Sequence, residues 1–268
     1  MTDESDGAHP NPTLFGTPWP IGWRSAGVLV AWCAVVIGVF TLVGELIERS
    51  PVADLDRRVA QDVVETRTPT GNDIAPWVAG MADTFVKIGV TTLIVLIMFI
   101  VWRRWLEPVI VTVSLVFEAT AFIVVTTIVA RPRPEVEHLQ DSPVDSSFPS
   151  GHVAAATAYG AIALVISRRL RHTWAKVAVW TVPPLIVVAV AWARLYLGMH
   201  YLSDVIAGAV LGAVSIYIVD RVVRNDPRSS PRTGDERELD DAHDGERGRG
   251  QPEQPAASRS PVTASPSG

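Results

Sequence analysis

Six long apolar blocks, each nearly free of charge, constrain the fold of this 268-residue chain more than any other feature. In order they are residues 26–44, 88–101, 108–130, 153–166, 177–192 and 205–219. A helix needs ~20 mostly apolar residues to cross a bilayer, and flanking residues can complete the shorter blocks. The sequence therefore predicts an all-α integral membrane bundle of about six transmembrane helices.

The two ends of the chain differ from this apolar middle in composition. Residues 1–23 are rich in Asp, Pro, Gly and Thr, and residues 225–268 are rich in Asp, Glu, Arg, Pro, Ser and Gly. Such segments bury too little apolar surface to offset their conformational entropy. We therefore predict disordered tails at 1–23 and 225–268 around a membrane domain at 24–224. The first block is longer than a signal-peptide core and follows a polar segment, which indicates a retained span.

The basic residues between the blocks predict an orientation, because short loops that carry Lys and Arg stay on the cytoplasmic side. They follow the second, fourth and sixth blocks: Arg103, Arg104, Arg168, Arg169, Arg171, Lys176, Arg221 and Arg224. With six crossings, both termini are expected in the cytoplasm. The opposite, extracytoplasmic face then receives the segment 45–85, the loop 131–150 and the turn 196–200.

The segment between the first two blocks contains a helical pattern of apolar residues. Their spacing would place them on one face of a helix: Val52, Leu55, Val59, Val63 and Val64. Such a helix could lie on the membrane surface or pack over the bundle. The sequence leaves these alternatives open.

A Pro-Ser-Gly-His motif at 149–152 stands directly before the fourth block. The backbone amides at the start of a helix lack partners within it, and together with the helix dipole they attract anions. Gly151 lets the backbone approach a ligand closely, and the Ser150 hydroxyl can donate a hydrogen bond. His152 adds a titratable group to this candidate anion site.

His200 and Asp204, four residues apart at the head of the sixth block, would share one helical face. A carboxylate beside an imidazole fixes its tautomer and supports its cation, which makes His200 the better nucleophile candidate. Arg194 precedes them by six residues. Charged residues beside apolar spans are costly unless they face a polar cavity or one another, so they favour a functional site.

Two arginines alternate with prolines at the end of the third block, at positions 131–134. The prolines hold the chain extended. Guanidinium groups match phosphate oxygens in a two-pronged geometry, so Arg133 and Arg194 could clamp a phosphoryl group. Arg131 alone would serve equally well as an anchor at the membrane surface.

The order of these motifs resembles the type 2 phosphatidic acid phosphatase superfamily, which contains lipid phosphate phosphatases and vanadium haloperoxidases. The motif match runs from 126 to 204, and the six-block layout extends it to about 26–223. The resemblance implies that His200 attacks phosphorus to form a phosphohistidine and that Asp204 orients it. His152 would protonate the leaving group and then activate water. Four groups would hold the phosphoryl oxygens: Arg133, Arg194, Ser150 and the Gly151 amide.

Two positions depart from the family pattern. The first motif usually begins with a lysine seven residues before its arginine, and this chain has Thr126 there. Arg131 or Lys87 are candidate substitutes for that charge. The third motif usually begins with a serine, and this chain has Ala193. Glu118, inside the third block, is expected to form a structural ion pair or hydrogen bond.

The leading hypothesis is a metal-independent membrane phosphatase acting on a lipid phosphomonoester or diphosphate, such as a polyprenyl diphosphate or phosphatidic acid, at the extracytoplasmic face. Its expected partners are the lipid substrate and the bilayer, with no nucleic acid, metal ion or cofactor. The oligomeric state is not predicted. Two alternatives are a catalytically reduced relative that binds lipid phosphate, and an ion-coupled transporter that uses the intramembrane charges.

Overall fold

The computed structural model describes residues 19–141 and 145–229. Within them the chain forms eight α-helices and no strand. Their bounds are α1 Trp23–Glu48, α2 Val52–Glu65, α3 Pro69–Gly80, α4 Thr84–Trp102, α5 Leu106–Val129, α6 Gly151–Ser167, α7 Thr173–Tyr196 and α8 Leu202–Arg224. Each predicted block lies inside one helix, except that the third extends one residue beyond the end of α5, and the all-α membrane class is confirmed.

Five of the helices, α1, α4, α5, α7 and α8, are long and apolar enough to cross a membrane. The sixth block forms α6, an apolar helix of 17 residues. The outer helices of the bundle expose large apolar side chains, including Val30, Leu93 and Val188. Exposed apolar belts of this kind suit contact with lipid chains. The chain is therefore a multi-pass membrane protein.

Helix α6 lies at the centre of the bundle and is rich in alanine. It packs against α5, α7 and α8, and its buried faces include Val153, Ala156 and Ala161. Small residues let helix backbones approach closely, which drives helix association in lipid. At Gly208 of α8 a Cβ would collide with the carbonyl oxygen of Ser150, so only glycine allows this close contact.

The segment before α4 forms two short helices, of which the sequence predicted α2 alone. The buried face of α2 is made of Ala53, Asp56 and Ala60, whereas Val52 and Leu55 are exposed. The buried face of this helix therefore differs from the apolar stripe expected from the sequence. Helix α2 packs on the bundle through this buried face, and Val52 and Leu55 of the apolar stripe stay exposed on the surface of the protein.

The predicted tails fall mostly outside the described residues, at 1–18 and 230–268. The structure describes residues 225–229 of the predicted C-terminal tail. Asp226 there makes a defined contact, because its carboxylate accepts a hydrogen bond of 2.7 Å from the Gly22 amide. This bond joins the start of α1 to the end of α8. The cytoplasmic location of both termini stays a prediction.

Candidate active site

The predicted residues meet at one end of the bundle, where α5 and α7 finish and α6 and α8 begin. We call this the site end. Backbone hydrogen bonds fasten the pieces together: the Ser150 amide donates to the Asp204 carbonyl at 2.9 Å, and the Ser147 amide donates to the Arg131 carbonyl at 2.8 Å. All three sequence motifs therefore share one location, although they are up to about seventy residues apart.

His200 lies in the turn between α7 and α8 and is almost fully buried, with 3% of its surface exposed. Its Nδ1 lies 2.7 Å from the Ser147 carbonyl oxygen. A carbonyl only accepts hydrogen bonds, so Nδ1 carries the proton and Nε2 keeps its lone pair. Burial lowers the pKa of His200 well below its ordinary value, and the charges of Arg194 and Arg133 act in the same direction. The ring is therefore a neutral imidazole with an unprotonated Nε2.

Asp204 does not hydrogen-bond to His200 in the way the sequence spacing suggested. Its Oδ2 lies 3.9 Å from Nδ1 of His200, beyond hydrogen-bonding distance. This oxygen accepts the Tyr201 amide at 2.8 Å, and Oδ1 accepts Arg131 at 2.6 Å. The spacing of the two residues correctly predicted that their side chains lie close together. The group that accepts the hydrogen bond from the imidazole is the Ser147 carbonyl and not Asp204.

Arg131 is a buried ion-pair centre. Its guanidinium binds Asp204 and also binds Asp56 of α2 at 2.9 Å, and it stacks 4.3 Å from the centre of the Tyr201 ring. Two carboxylates therefore hydrogen-bond to this arginine, and a third, that of Glu48, lies 3.9 Å from its Nε. The structure gives Arg131 a role in holding α2 and α8 together, and it does not support Arg131 as a replacement for the family lysine.

Arg194 is also buried, with 2% of its surface exposed, but its surroundings are different. It donates to the side-chain oxygen of Gln140 at 2.8 Å and makes no ion pair within the described ranges. Its Nε has no hydrogen-bond partner there. Arg133 donates to the Met199 carbonyl oxygen at 2.5 Å. A buried guanidinium such as that of Arg194, which hydrogen-bonds to a neutral amide, is suited to bind an anion.

The start of α6 supplies further donors to the same place. The Ser150 hydroxyl is buried and without a hydrogen-bond partner among the described residues, and it does not cap its own helix. A Cβ at Gly151 would come within 2.6 Å of the Phe122 ring, so this glycine is required for packing against α5. The helix start and the Ser150 hydroxyl can both donate to a phosphoryl oxygen.

His152 is bound by a residue that the sequence motifs did not identify. Its Nε2 lies 2.8 Å from Oδ1 of Asp83. Asp83 occupies the position before α4, where an aspartate normally caps the helix, but its side chain makes no capping bond. Its carboxylate holds His152 instead. An aspartate directly before an apolar run was visible in the sequence, but its partner lies 69 residues away.

Lys87 forms a buried ion pair, and Thr126 carries no charge. Lys87 donates to the Glu118 carboxylate at 3.1 Å in a buried pair. Glu118 thus forms the structural ion pair expected from the sequence. Glu118 lies eight residues before Thr126 on α5, or about 12 Å along the helix. Thr126 is buried, and its hydroxyl has no partner in the described part of the chain. Lys87 lies one helical turn after Asp83, with its amide bonded to the Asp83 carbonyl oxygen at 2.8 Å, and its ammonium is held by Glu118.

Comparison with known proteins agrees with this layout. Residues 107–228 match the family model of the PAP2 superfamily. Over 103 residues the chain is 37% identical to the decaprenylphosphoryl-5-phosphoribose phosphatase of Mycobacterium tuberculosis, a match that spans 37% of this chain and about half, 52%, of that relative. It is 26% identical to phosphatidylglycerophosphatase B of Bacillus subtilis over 67% of this chain and 89% of the relative.

A solved structure has the same fold. The crystal structure of a transmembrane PAP2-type phosphatidylglycerolphosphate phosphatase from Bacillus subtilis superposes with a TM-score of 0.64 and 23% identity, covering 70% of this chain and 94% of that one. The family match includes all three motifs and the helices α5 to α8 that carry them. Residues 107–228 of this chain therefore form a PAP2-superfamily region.

Proposed function

We propose that this protein is an integral membrane phosphatase that hydrolyses a lipid phosphomonoester or diphosphate through a phosphohistidine intermediate. The observation that carries the proposal is the state of His200. It is a buried, neutral imidazole whose free nitrogen belongs to the same cluster as two arginines and a helix start. The named functions of the relatives, a decaprenylphosphoryl-phosphoribose phosphatase and a phosphatidylglycerophosphatase, support the same chemistry.

In the first half-reaction, Nε2 of His200 attacks phosphorus, and the bond between phosphorus and the lipid oxygen breaks. Arg133, Arg194, Ser150 and the amides at the start of α6 stabilise the charge on the phosphoryl oxygens. His152 donates a proton to the departing oxygen. Because Asp83 accepts the proton on Nε2 of His152, Nδ1 is the nitrogen that exchanges the catalytic proton.

In the second half-reaction, neutral His152 takes a proton from water, and the water oxygen attacks phosphorus. The phosphorus–nitrogen bond breaks, which releases inorganic phosphate and restores His200. Asp204 acts indirectly, through its ion pair with Arg131 and its charge 3.9 Å from the imidazole. The residues that take part require no metal ion in this scheme.

The site end is proposed to face the extracytoplasmic side. The basic loops at the opposite end of the bundle support this orientation, since Arg168 and Arg169 lie between α6 and α7. Both pair with acids there, Arg168 with Asp220 at 2.5 Å and Arg169 with Glu107.

Labelling of single cysteines by a membrane-impermeant reagent, in a Cys33→Ser background, would test this orientation. A cysteine at Glu137 should react in intact cells, and one at Arg171 should not.

Phosphate release from lipid phosphates by purified protein in the presence of a chelator is the direct test. We expect turnover that vanadate blocks and that His200→Ala reduces by at least about 10³-fold. Retained turnover in His200→Ala would refute the mechanism. Tight vanadate binding without hydrolysis of any lipid phosphate would instead indicate the catalytically reduced relative, to which Thr126 points.

The two histidines can be separated with p-nitrophenyl phosphate, whose leaving group needs no proton. His152→Ala should still transfer phosphate to His200 from this compound but should lose water activation. We therefore expect a burst of nitrophenol and an acid-labile phosphohistidine that accumulates on the protein. His200→Ala, as the matched control, should give neither.

A further inference from the structure

A pocket lies at the end of the bundle opposite the site end, between α6, α7 and α8. Its volume is about 460 Å³, within the range of about 300–1,000 Å³ that is typical of small-molecule sites. Leu164 of α6 and Trp180 of α7 form part of its wall. Leu164 lies twelve residues after His152, or about 18 Å along α6. A ligand in this pocket is therefore well separated from the groups assigned to phosphate transfer.

Helix α8 contributes one continuous stripe of residues to this pocket. Ala213, Tyr217, Arg221 and Arg224 follow one another at steps of three or four residues, so they share one helical face. All four are exposed. The guanidinium of Arg221 lies 5.3 Å from the centre of the Tyr217 ring. The wall of the pocket thus changes from apolar to basic toward the end of α8.

The basic part of the pocket carries an excess of positive charge. It contains three arginines and one aspartate, Asp220. Both oxygens of Asp220 are occupied by Arg168, whose two terminal nitrogens donate to them at 2.5 and 2.7 Å. Among the residues that the structure describes, neither Arg221 nor Arg224 forms an ion pair with an acid. Two exposed cations are therefore available to an anion.

The aromatic side chains indicate the depth of the pocket in the membrane. Trp180 is seven residues after the start of α7, and Tyr217 is seven residues before the end of α8, so both lie about 10 Å inside the helix ends. They are 44% and 61% exposed. Exposed Trp and Tyr side chains of membrane helices concentrate at the boundary between lipid chains and headgroups. The arginines beyond them then lie at the level of the lipid phosphates.

We propose that this pocket binds an anionic phospholipid, whose phosphate contacts Arg221 and Arg224 and whose acyl chains lie along Trp180 and Ile216. Guanidinium groups pair well with phosphate oxygens, and basic pockets between membrane helices suit anionic headgroups. A phosphate ion from water would meet the same arginines but would gain nothing from the apolar wall, which favours the lipid. The lipid is a bound ligand and not a substrate, because the pocket and His200 lie at opposite ends of the bundle. The inference is thus independent of the proposed phosphatase function.

Titration of the purified full chain with phosphatidylglycerol in detergent, followed by native mass spectrometry, tests the charge. We expect one lipid per chain and at least about tenfold weaker binding of zwitterionic phosphatidylcholine. Arg221→Gln with Arg224→Gln should raise the apparent Kd for phosphatidylglycerol about thirtyfold. The matched control is Arg103→Gln with Arg104→Gln, which removes the same charge after α4, at the same end of the bundle but outside the pocket. It should bind the lipid as the wild type does.

A substitution that fills the pocket tests its shape without a change of charge. Ala213 lines the pocket, whereas Val210, one turn earlier on α8, does not, and both are exposed. Ala213→Phe should occupy the apolar part and raise the Kd for phosphatidylglycerol about tenfold, and Val210→Phe should have no effect. Because these variants change surface residues, their unfolding temperatures without added lipid should stay near that of the wild type.

Three results would overturn the inference. The first is an equal Kd for phosphatidylglycerol in the two double-arginine variants, and the second is an equal Kd for the two lipids in the wild type. The third is full displacement of the lipid by inorganic phosphate together with no effect of Ala213→Phe, which would indicate a site for soluble phosphate. Phosphate release by the protein is measured separately, so its failure would refute the proposed function and leave this inference standing.

Discussion

Arg131 and Arg194 are both buried at the site end, yet their surroundings are opposite. Arg131 contacts two carboxylates and an aromatic ring, and Arg194 contacts the neutral amide of Gln140. A neutralised arginine joins helices, whereas an arginine with neutral partners leaves positive charge for a ligand. The carboxylates that hydrogen-bond to each guanidinium therefore distinguish the two arginines, which their positions in the sequence motifs do not.

Removing Arg131 should have the largest effect on stability. Arg131→Met leaves Asp56 and Asp204 buried without their partner, which should cost about 3–5 kcal/mol of unfolding free energy. Thermal unfolding in detergent measures this loss. The double variant Arg131→Met with Asp56→Asn should recover part of it, and the folded fraction should keep its vanadate affinity. A large loss of vanadate affinity per folded molecule would place Arg131 in the anion site after all.

Arg194→Ala should show the opposite behaviour. We expect kcat/KM for a lipid phosphate to fall about 10²–10³-fold, because a charge that stabilises the phosphoryl oxygens disappears. Vanadate affinity should fall with it, while the unfolding temperature stays near that of the wild type. Wild-type turnover in Arg194→Ala would show that the buried cation is structural.

The pH dependence of turnover tests the effect of the arginines on His200. Only the neutral imidazole attacks phosphorus, so activity falls as pH decreases through the pKa of His200 in the folded protein. Burial and the neighbouring arginines lower that pKa. Arg133→Gln removes one of these charges and should move the acidic limb of the kcat/KM profile to higher pH. An unchanged limb in this variant would mean that another group controls it.

Asp83→Asn should have the smallest effect of the four. The amide still contacts His152 but no longer favours one nitrogen for its proton, so kcat should fall about tenfold while KM changes little. With p-nitrophenyl phosphate the initial burst should remain. Alanine at Asp73, an acid of α3, provides a control for loss of charge in this segment, and an equal effect there would argue against a specific role for Asp83.

The sequence was most informative where a single physical requirement dominates. Bilayer thickness sets the length of an apolar helix, so six blocks predicted six helices, and the Pro-Ser-Gly-His and Arg-His-Asp motifs indicated the candidate site. Side-chain partners were less predictable. Asp83, Asp56 and Gln140 lie far in sequence from the residues they bind, and no periodicity relates them.

Two local patterns did not determine the contacts that form. The spacing of His200 and Asp204 correctly indicated proximity, but a backbone carbonyl from a different loop accepts the imidazole proton. In α2 the sequence left open whether the apolar stripe lies on the membrane surface or packs over the bundle, and the face that packs inward carries Asp56, which pairs with Arg131. In both cases the deciding contact is made by residues distant in the sequence.

The contact of Gly208 with Ser150 has a consequence for the geometry of the site end. The backbones of α6 and α8 touch there, and a hydrogen bond joins the Ser150 amide to the Asp204 carbonyl. These two contacts set the spacing between the start of α6 and the start of α8, next to His200. Any side chain at Gly208 would push the two helix starts apart and change that spacing.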